Sequence, residues 1–292
     1  MLGLRRLPAL LPRIIGGLLL VLLTGCSAVK TGYNSAPTLL YWWLDGYVDF
    51  NEAQDKPVRD SLAALHAWHR QQELPAYADL LNRMQQLAGG PVSLELVCTF
   101  VDQIRAHMLR LAEQSADGLA QVAPTLQDEQ LRRLAQQFEK NNQKWREEWL
   151  DGSPAELLER RLARTVDRYE DFYGRLTDAQ KTLLRQRLSA SSLDARTAWA
   201  ERLRRQQDML RVFQEHRGTD RPAHVQAEML ALTKRNLESP EPAYRAQFER
   251  MLQEGCQIMA LLHNSASAAQ RRQFIGKLQG YEADFRALAA EP

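Results

Sequence analysis

Two histidines and a glutamate have the spacing of metal ligands. His66, His69 and Glu73 are separated by three and four residues, so an α-helix would place them on one face. Imidazole nitrogens and a carboxylate are ligands that Zn²⁺ accepts. A closed site needs a further ligand, and the sequence nominates none. We therefore predict surface or capping roles for these residues and no bound metal, and a metal-binding alternative would use this triplet.

The motifs of common enzyme classes are absent from the sequence. The chain has no G-x-S-x-G, no H-E-x-x-H, no Gly-rich phosphate loop and no paired-cysteine metal motif. Serine, histidine and aspartate occur, but no local arrangement nominates a nucleophile and its base. We expect a non-enzymatic protein without a cofactor. The alternative is an enzyme whose site is assembled from residues far apart in the sequence.

Two cysteines in the body of the chain are candidates for a disulfide. Cys256 follows Gly255, beside which another helix could approach closely, and Cys98 is the other cysteine available. In an oxidising compartment such a pair favours a bridge, which stabilises by about 3–5 kcal/mol in the chain-entropy model. The alternative is two unrelated buried thiols. We predict the bridge between Cys98 and Cys256.

Charge is concentrated in one segment. Residues 160–211 contain 13 Lys and Arg against 7 Asp and Glu, whereas the whole chain has 38 against 36. A basic surface attracts acidic or unfolded protein partners, and the near-neutral total disfavours nucleic acid. The alternative is that these charges only solvate helix faces. The candidate client-binding residues in this segment are Arg185, Arg187, Arg204 and Arg205.

Helices must position all of these residues. The chain is 45% hydrophobic, its apolar residues recur at helical spacing, and its Pro and Gly residues fall between the periodic stretches. The pattern predicts a single all-α domain of about eleven helices. They span 37–51, 57–73, 75–88, 92–117, 126–150, 154–174, 178–190, 192–216, 222–236, 241–263 and 268–288.

An aromatic segment opens this domain. Residues 41–50 contain five of the aromatic side chains, and the pattern of Leu40, Trp43, Leu44 and Tyr47 is that of a helix face. We predict that this face packs into the core. The alternative is that the rings lie at a membrane interface, where aromatic side chains are favoured.

Several predicted helices begin in the same way. Thr177 with Gln180, and Ser267 with Gln270, have the spacing of a capping box, and Gln127 with Gln130 is a variant of it. Leu176 to Leu188 resembles the L-T-x-x-Q motif of the small helical periplasmic chaperones and stress sensors of the Spy and CpxP type. That resemblance implies a helical surface that holds unfolded clients through basic and apolar side chains.

The N-terminus has the features of a secretion signal. Three arginines precede the ten-residue apolar run from Ile14 to Leu23, which is too short to cross a hydrocarbon core of roughly 30 Å. Leu23, Thr24, Gly25 and Cys26 follow, and they resemble the bacterial lipobox. The resemblance implies a covalent lipid on Cys26, and Ser27 in the next position implies sorting to the outer membrane, facing the periplasm.

The residues after the lipobox point to an uncharacterised family. Residues 33–50 read YNSAPTLLYWWLDGYVDF, which resembles the opening of a family of proteobacterial outer-membrane lipoproteins. The resemblance implies an all-helical periplasmic domain and no established activity.

These features together predict a lipid-anchored, non-enzymatic envelope protein. Its segments would be a signal peptide over 1–25, a lipidated tether over 26–36 and a helical periplasmic domain over 37–292. Its partners would be the membrane, through the lipid, and unfolded or envelope proteins, in a chaperone-like role. The alternative function is an envelope enzyme or metal-binding protein with a site assembled from distant residues.

Overall fold

A computed structural model describes residues 29–291, and in this part of the chain every regular element is helical. Residues 29–34 are helical, a π-helix (His69–Glu73) joins α2 to α3, and a 3₁₀ turn (Ala123–Thr125) follows α4. The eleven longer helices are α1 (Ala36–Val48), α2 (Glu52–Trp68), α3 (Leu74–Leu87), α4 (Leu94–Val122), α5 (Asp128–Trp149), α6 (Pro154–Tyr173), α7 (Asp178–Ser189), α8 (Ala195–His216), α9 (Pro222–Leu237), α10 (Pro242–Ser265) and α11 (Ala268–Ala290).

The predicted all-α domain is confirmed, and the largest boundary differences are at α2 and α4. α2 begins five residues before the predicted start at Pro57, because Asn51 and Gln54 form a capping box. Asn51 Oδ1 accepts from the Gln54 backbone N–H at 3.1 Å, and Gln54 Oε1 accepts from the Asn51 N–H at 3.0 Å. Pro57 therefore lies inside α2 rather than at its first position.

The predicted core face of α1 is wrong at two of its four positions. Leu40 is 44% exposed and Trp43 is 57% exposed, whereas Leu44 and Tyr47 are half-buried. The buried residue of α1 is Tyr41, whose ring lies beneath the Arg59 guanidinium, with 3.5 Å between the Arg59 Cζ and the ring centroid. α1 packs against α2 and α5 through its Tyr41 side, so the opposite side remains open.

Four buried glutamines join helix starts in two pairs. Gln54 at the start of α2 and Gln130 at the start of α5 exchange hydrogen bonds of 3.2 and 2.7 Å between their side-chain amides. Gln180 at the start of α7 and Gln270 at the start of α11 do the same at 3.1 and 3.0 Å. Each glutamine also accepts a hydrogen bond from the N–H of its own helix cap.

The two pairs have equivalent backbone partners. Gln54 donates to the carbonyl of Thr125, just after α4, and Gln180 donates to the carbonyl of Ser265, at the end of α10. Gln130 and Gln270 donate to the carbonyls of Asp49 and Arg175, which precede α2 and α7. The chain therefore contains the same arrangement of helix starts twice, once in each half.

Each pair lies beside its own apolar core. Around the first pair, the core includes Leu126 and Leu134 together with Val212 and Met229 from α8 and α9. Around the second pair, the core is built mainly by α6, α7, α10 and α11. Its main members are Tyr173, Leu184, Leu262 and Phe274. The two halves also pack against each other, because α3 contacts α11 and α5 contacts α8.

Candidate functional site

The long helix α4 packs along two flanks. On one flank it contacts α2, and His107 and Arg110 reach Glu73 in the π-helix. On the other flank it contacts α9 and α10, where Arg105 pairs with Glu249 at 2.9 Å. Ala116 is its only buried residue although the helix has 29 residues. Most of the other α4 residues are partly buried, and the rest are exposed.

Between these flanks α4 presents an apolar face. Ile104 is 44% exposed and Met108 is 56% exposed, and the other members are half-buried. Their separations of three and four residues place them on one side of the helix. We name this surface the α4 apolar face, and it consists of Val97, Val101, Ile104, Met108 and Leu111. An exposed apolar stripe of this kind is suited to bind an apolar partner.

The α4 apolar face is the feature that sequence periodicity did not identify. Apolar periodicity predicts the helix but not which of its sides is covered, and α4 has apolar residues on more than one side. One feature of the sequence could have indicated this face. Apolar residues occur around most of the circumference of this long helix, and neighbouring helices packed on one side cannot cover all of them. On the opposite side of α4, Asp102 and Ala106 are also exposed.

Glu73 belongs to a buried ion cluster. The residue is 1% exposed, and its carboxylate accepts from His107 Nδ1 at 2.6 Å and from Arg110 Nε at 2.9 Å. Burial opposes ionisation, but the hydrogen bonds from Arg110 and His107 outweigh it and hold the pKa of Glu73 below its ordinary value. The cluster thus attaches the π-helix to α4 through the ion pair of Glu73 with Arg110 and the hydrogen bond from His107.

The two candidate histidines have a different partner. His66 Nε2 donates to the carbonyl of Tyr33 at 3.0 Å, and the Tyr33 hydroxyl lies 2.9 Å from His69 Nδ1. Burial lowers the pKa of both histidines. Because a π turn holds more residues than an α turn, the helix register changes between His69 and Glu73. Within residues 29–291, no group of three His, Cys, Asp or Glu side chains is arranged to hold a metal ion.

The four candidate arginines divide into two sets. On α7, Arg185 pairs with Glu159 and Arg187 lies 3.5 Å from the side chain of Gln257. On α8, Arg204 and Arg205 both bind Glu201, which is 3% exposed. The second set therefore neutralises the buried Glu201 carboxylate. Burial alone would raise the pKa of Glu201, but the hydrogen bonds from the two arginines lower it below its ordinary value. The Arg185 side chain is 48% exposed, which is more than the side chains of Arg204 and Arg205.

The structure pairs Cys98 with Cys256 in a disulfide. The two Cα atoms are 5.3 Å apart and the residues are separated by 158 positions in the chain. The bridge connects α4 to α10, so it links the helix bearing the α4 apolar face to the second core. That spacing is within the range that disulfide geometry requires.

The predicted lipid attachment falls outside the described residues. Cys26 and the signal peptide over 1–25 precede residue 29, and part of the predicted tether, residues 29–34, is helical. Among the helices that the structure describes, none is both long and apolar enough to cross a bilayer.

Comparison with known proteins identifies a family but no characterised relative. No curated protein and no solved structure matches the chain. One family model, described as a family of unknown function, matches residues 46–245, which include α2 to α9 and both partners of the first glutamine pair. Because the match covers more than half of the sequence, the chain belongs to this family of unknown function, DUF6279.

Proposed function

We propose that this protein is a non-enzymatic envelope lipoprotein that binds apolar segments of partly folded proteins on the α4 apolar face. The observation that carries the proposal is the exposure of Ile104 and Met108 on a helix fixed along both flanks. A rigid helix that presents apolar side chains loses little conformational entropy when an apolar segment binds it. Clients would contact this face through side chains that are exposed only before folding is complete.

The duplicated helix starts support the chaperone-like part of the proposal. Thr177 and Gln180 belong to the segment that resembles the L-T-x-x-Q motif of Spy and CpxP, and Gln180 pairs with Gln270 at a second helix start. The same arrangement recurs at Gln54 and Gln130. Two such units in one chain would present a longer helical surface to a client than one unit does.

The proposed location in the cell envelope depends on the sequence alone. The lipobox-like residues before Ser27 predict a diacylated Cys26, and two acyl chains are sufficient for stable membrane anchoring. In this setting clients are proteins in transit through the periplasm. The basic α7 residues Arg185 and Arg187 would add attraction to acidic clients, because they are not engaged with a buried carboxylate.

Suppression of aggregation tests the proposal. Ile104→Asp with Met108→Asp introduces charge on the α4 apolar face, where exposed positions tolerate substitution with little loss of stability. The chain from Ser27 onward would be mixed with a chemically denatured reporter protein on dilution. We expect the protein concentration needed for half-suppression to rise about tenfold, the equivalent of losing one well-buried apolar contact.

The matched control lies on the same helix. Ala106→Asp adds one of these two negative charges on the opposite side of α4, and suppression should be unchanged. Circular dichroism establishes that all variants remain folded. The proposal is wrong if the unmodified protein leaves aggregation unaffected at several-fold molar excess, or if the face variant suppresses as well as the Ala106 variant does.

Arg185→Glu with Arg187→Glu tests the charge contribution separately. Electrostatic capture should weaken as salt rises, since the Debye length falls from about 10 Å at 0.1 M to about 3 Å at 1 M. Arg204 and Arg205 are not suitable for this test, because reversing them would place a second carboxylate beside buried Glu201. Loss of stability would then be confused with loss of binding.

A further inference from the structure

α1 exposes four large apolar side chains in a run of five residues. Leu39 is 58% exposed, Leu40 44%, Trp42 62% and Trp43 57%. We name these four residues the α1 outward face. They are half of the large apolar side chains that are exposed in the described part of the chain.

The α1 outward face has no charge. Gly46 lies among these residues on the helix surface, whereas Asp45 lies toward the packed side with Tyr41, and Lys30 is near Glu291. The uncharged character continues toward the N-terminus through Gly32, Ser35 and Ala36. A water-facing helix normally alternates charged and apolar residues, so an uncharged face of this length indicates a non-aqueous partner.

The position of this face in the chain identifies the partner. The helix is almost continuous from residue 29 into α1, since Ser35 N–H donates to Thr31 O and Leu39 N–H donates to Ser35 O, both at 3.0 Å. At about 1.5 Å per residue, Trp42 is roughly 20 Å along the helix from Val29, the first described residue, and Cys26 precedes Val29 by three positions in the sequence. If Cys26 carries acyl chains in a bilayer, the α1 outward face stays within reach of that surface.

We propose that the α1 outward face docks onto the lipid bilayer beside the acylated Cys26, as an interfacial anchor that orients the helical domain. Tryptophan is favoured at the level of the lipid headgroups, and leucine below it. Arg59 is not part of this face, because its guanidinium stacks on the buried Tyr41 ring and pairs with Asp55 at 3.0 Å. This inference rests on the proposed lipid anchor for its location, but the binding it describes belongs to the helix itself.

Vesicle binding by the unacylated chain tests this proposal. Residues 29–291 contain both apolar cores, so a chain beginning at Ser27 retains every buried side chain described above. It would be mixed with phosphatidylcholine vesicles, with and without lipids brominated along the acyl chains. We expect co-flotation with the vesicles and quenching of tryptophan fluorescence, both insensitive to salt because the face is uncharged.

Two pairs of substitutions identify the surface. Trp42→Lys with Trp43→Lys should lower the partition coefficient by about tenfold or more, because two apolar side chains no longer enter the interface. Trp42→Phe with Trp43→Phe should preserve flotation while removing the quenched signal. Trp145→Phe with Trp149→Phe, on α5, is the matched control and should preserve both.

Three results would overturn the inference. The first is an unacylated chain that stays in solution with vesicles of either composition. The second is equal binding by the Lys variant and the unmodified chain. The third is self-association, measured by sedimentation velocity without lipid, that Trp42→Lys abolishes, since the face would then join two copies of the chain. None of these results depends on acylation of Cys26 or on suppression of aggregation, so the proposed function is tested independently.

Discussion

His263 illustrates how a single buried side chain links the second core to solution pH. It is 3% exposed, its Nε2 lies 3.1 Å from the Gly90 carbonyl, and its Nδ1 lies 2.9 Å from the Tyr173 hydroxyl. Because a carbonyl only accepts, Nε2 carries the proton and Nδ1 accepts from Tyr173. Burial is the main cause that lowers the pKa of His263, so the folded protein favours the neutral ring.

The sign of the pH dependence follows from this shift. Above the ordinary histidine pKa of about 6.5 both folded and unfolded states hold neutral His263, so its contribution to stability is complete. As pH falls below that value, the unfolded chain takes up a proton that the folded chain resists. The free energy of unfolding should therefore fall, at no more than about 1.4 kcal/mol per pH unit for this residue.

His263→Gln should reduce that slope between pH 7 and pH 5. Burial lowers the pKa of His66 and His69 in the same direction, so a part of the slope should remain in this variant. Urea unfolding at a series of pH values measures it. His224→Gln, at an exposed position, controls for the loss of a histidine. An unchanged slope in His263→Gln would contradict the assignment.

At the scale of elements, the paired glutamines make two helix starts depend on each other. Gln180 bonds its own cap, the end of α10 and Gln270, so removing it leaves buried polar groups unpaired. Gln180→Ala and Gln270→Ala should each lower the free energy of unfolding by about 1–3 kcal/mol. The double variant should lose less than the sum, because the two side chains share hydrogen bonds.

The control for this pair of substitutions is a capping box whose N3 side chain does not contact a second helix start. Ser153 and Glu156 form one at the exposed start of α6. Glu156→Ala should lower the free energy of unfolding only slightly and combine additively with Gln180→Ala. Additive losses for the Gln180 and Gln270 pair would show that the side-chain contact contributes no coupling.

The disulfide is the second prediction about elements. A bridge between Cys98 and Cys256 closes a chain segment of 158 residues, and in the chain-entropy model this stabilises by about 3–5 kcal/mol. Peptide mapping without reductant should recover the linked pair from protein taken from the periplasm. Quantitative alkylation of both thiols in that protein would exclude the bridge. Cys98→Ser with Cys256→Ser should lower the urea midpoint without changing helix content.

The elements themselves could be predicted where local signals agree. Ser153, Thr177 and Ser267 begin helices at the predicted positions, because a hydroxyl cap followed by Glu or Gln at N3 is readable from a few residues. α2 was predicted to start late because Pro57 is a common first residue of a helix, and the capping box at Asn51 was overlooked. α4 extends to Val122 rather than to residue 117, since Gly118 faces Ser61 of α2 and is tolerated there.

For the whole molecule, the predicted lipid anchor decides where any binding surface operates. Cys26→Ser should block acylation, because the thiol is the acyl acceptor that the lipobox resemblance implies. The uncleaved protein should then remain with the inner membrane. Metabolic labelling with a radioactive fatty acid measures this, and undiminished labelling of the variant would remove the assignment. Cys98→Ser with Cys256→Ser is the matched control and should label as the unmodified protein does.

Three surfaces of the molecule are then distinct in role. In the proposals above, the α4 apolar face would bind clients and the α1 outward face would contact lipid, whereas α7 presents Arg185 and Arg187. The cluster of Glu73, His107 and Arg110 connects the π-helix to α4, on the flank beside the client surface. Because α1 packs on α2 and α2 packs on α4, a domain oriented by lipid contact would present its client surface in a defined direction.

The amino-acid sequence alone determined what depends on neighbours along the chain. Helix type, most helix boundaries and the caps are set by residues within a few positions of each other, and periodicity distinguishes helix from strand over such distances. Membership of the family likewise follows from the order of residues over 46–245. The sequence also identified Cys98 and Cys256 as a pair, since only two cysteines follow Cys26.

Tertiary structure decided which apolar face of each helix is covered. Helical spacing shows that Leu40, Trp43, Ile104 and Met108 lie on faces, but burial depends on whether another helix packs there, and that contact is made by residues distant in sequence. The same reason explains the pairing of Gln54 with Gln130, and of Arg204 and Arg205 with a carboxylate that became buried. The hydrophobic effect depends on the apolar area that is buried and not on which residues cover it. The sequence therefore gives the amount of apolar surface, and only the packing of helices decides which part of that surface stays exposed.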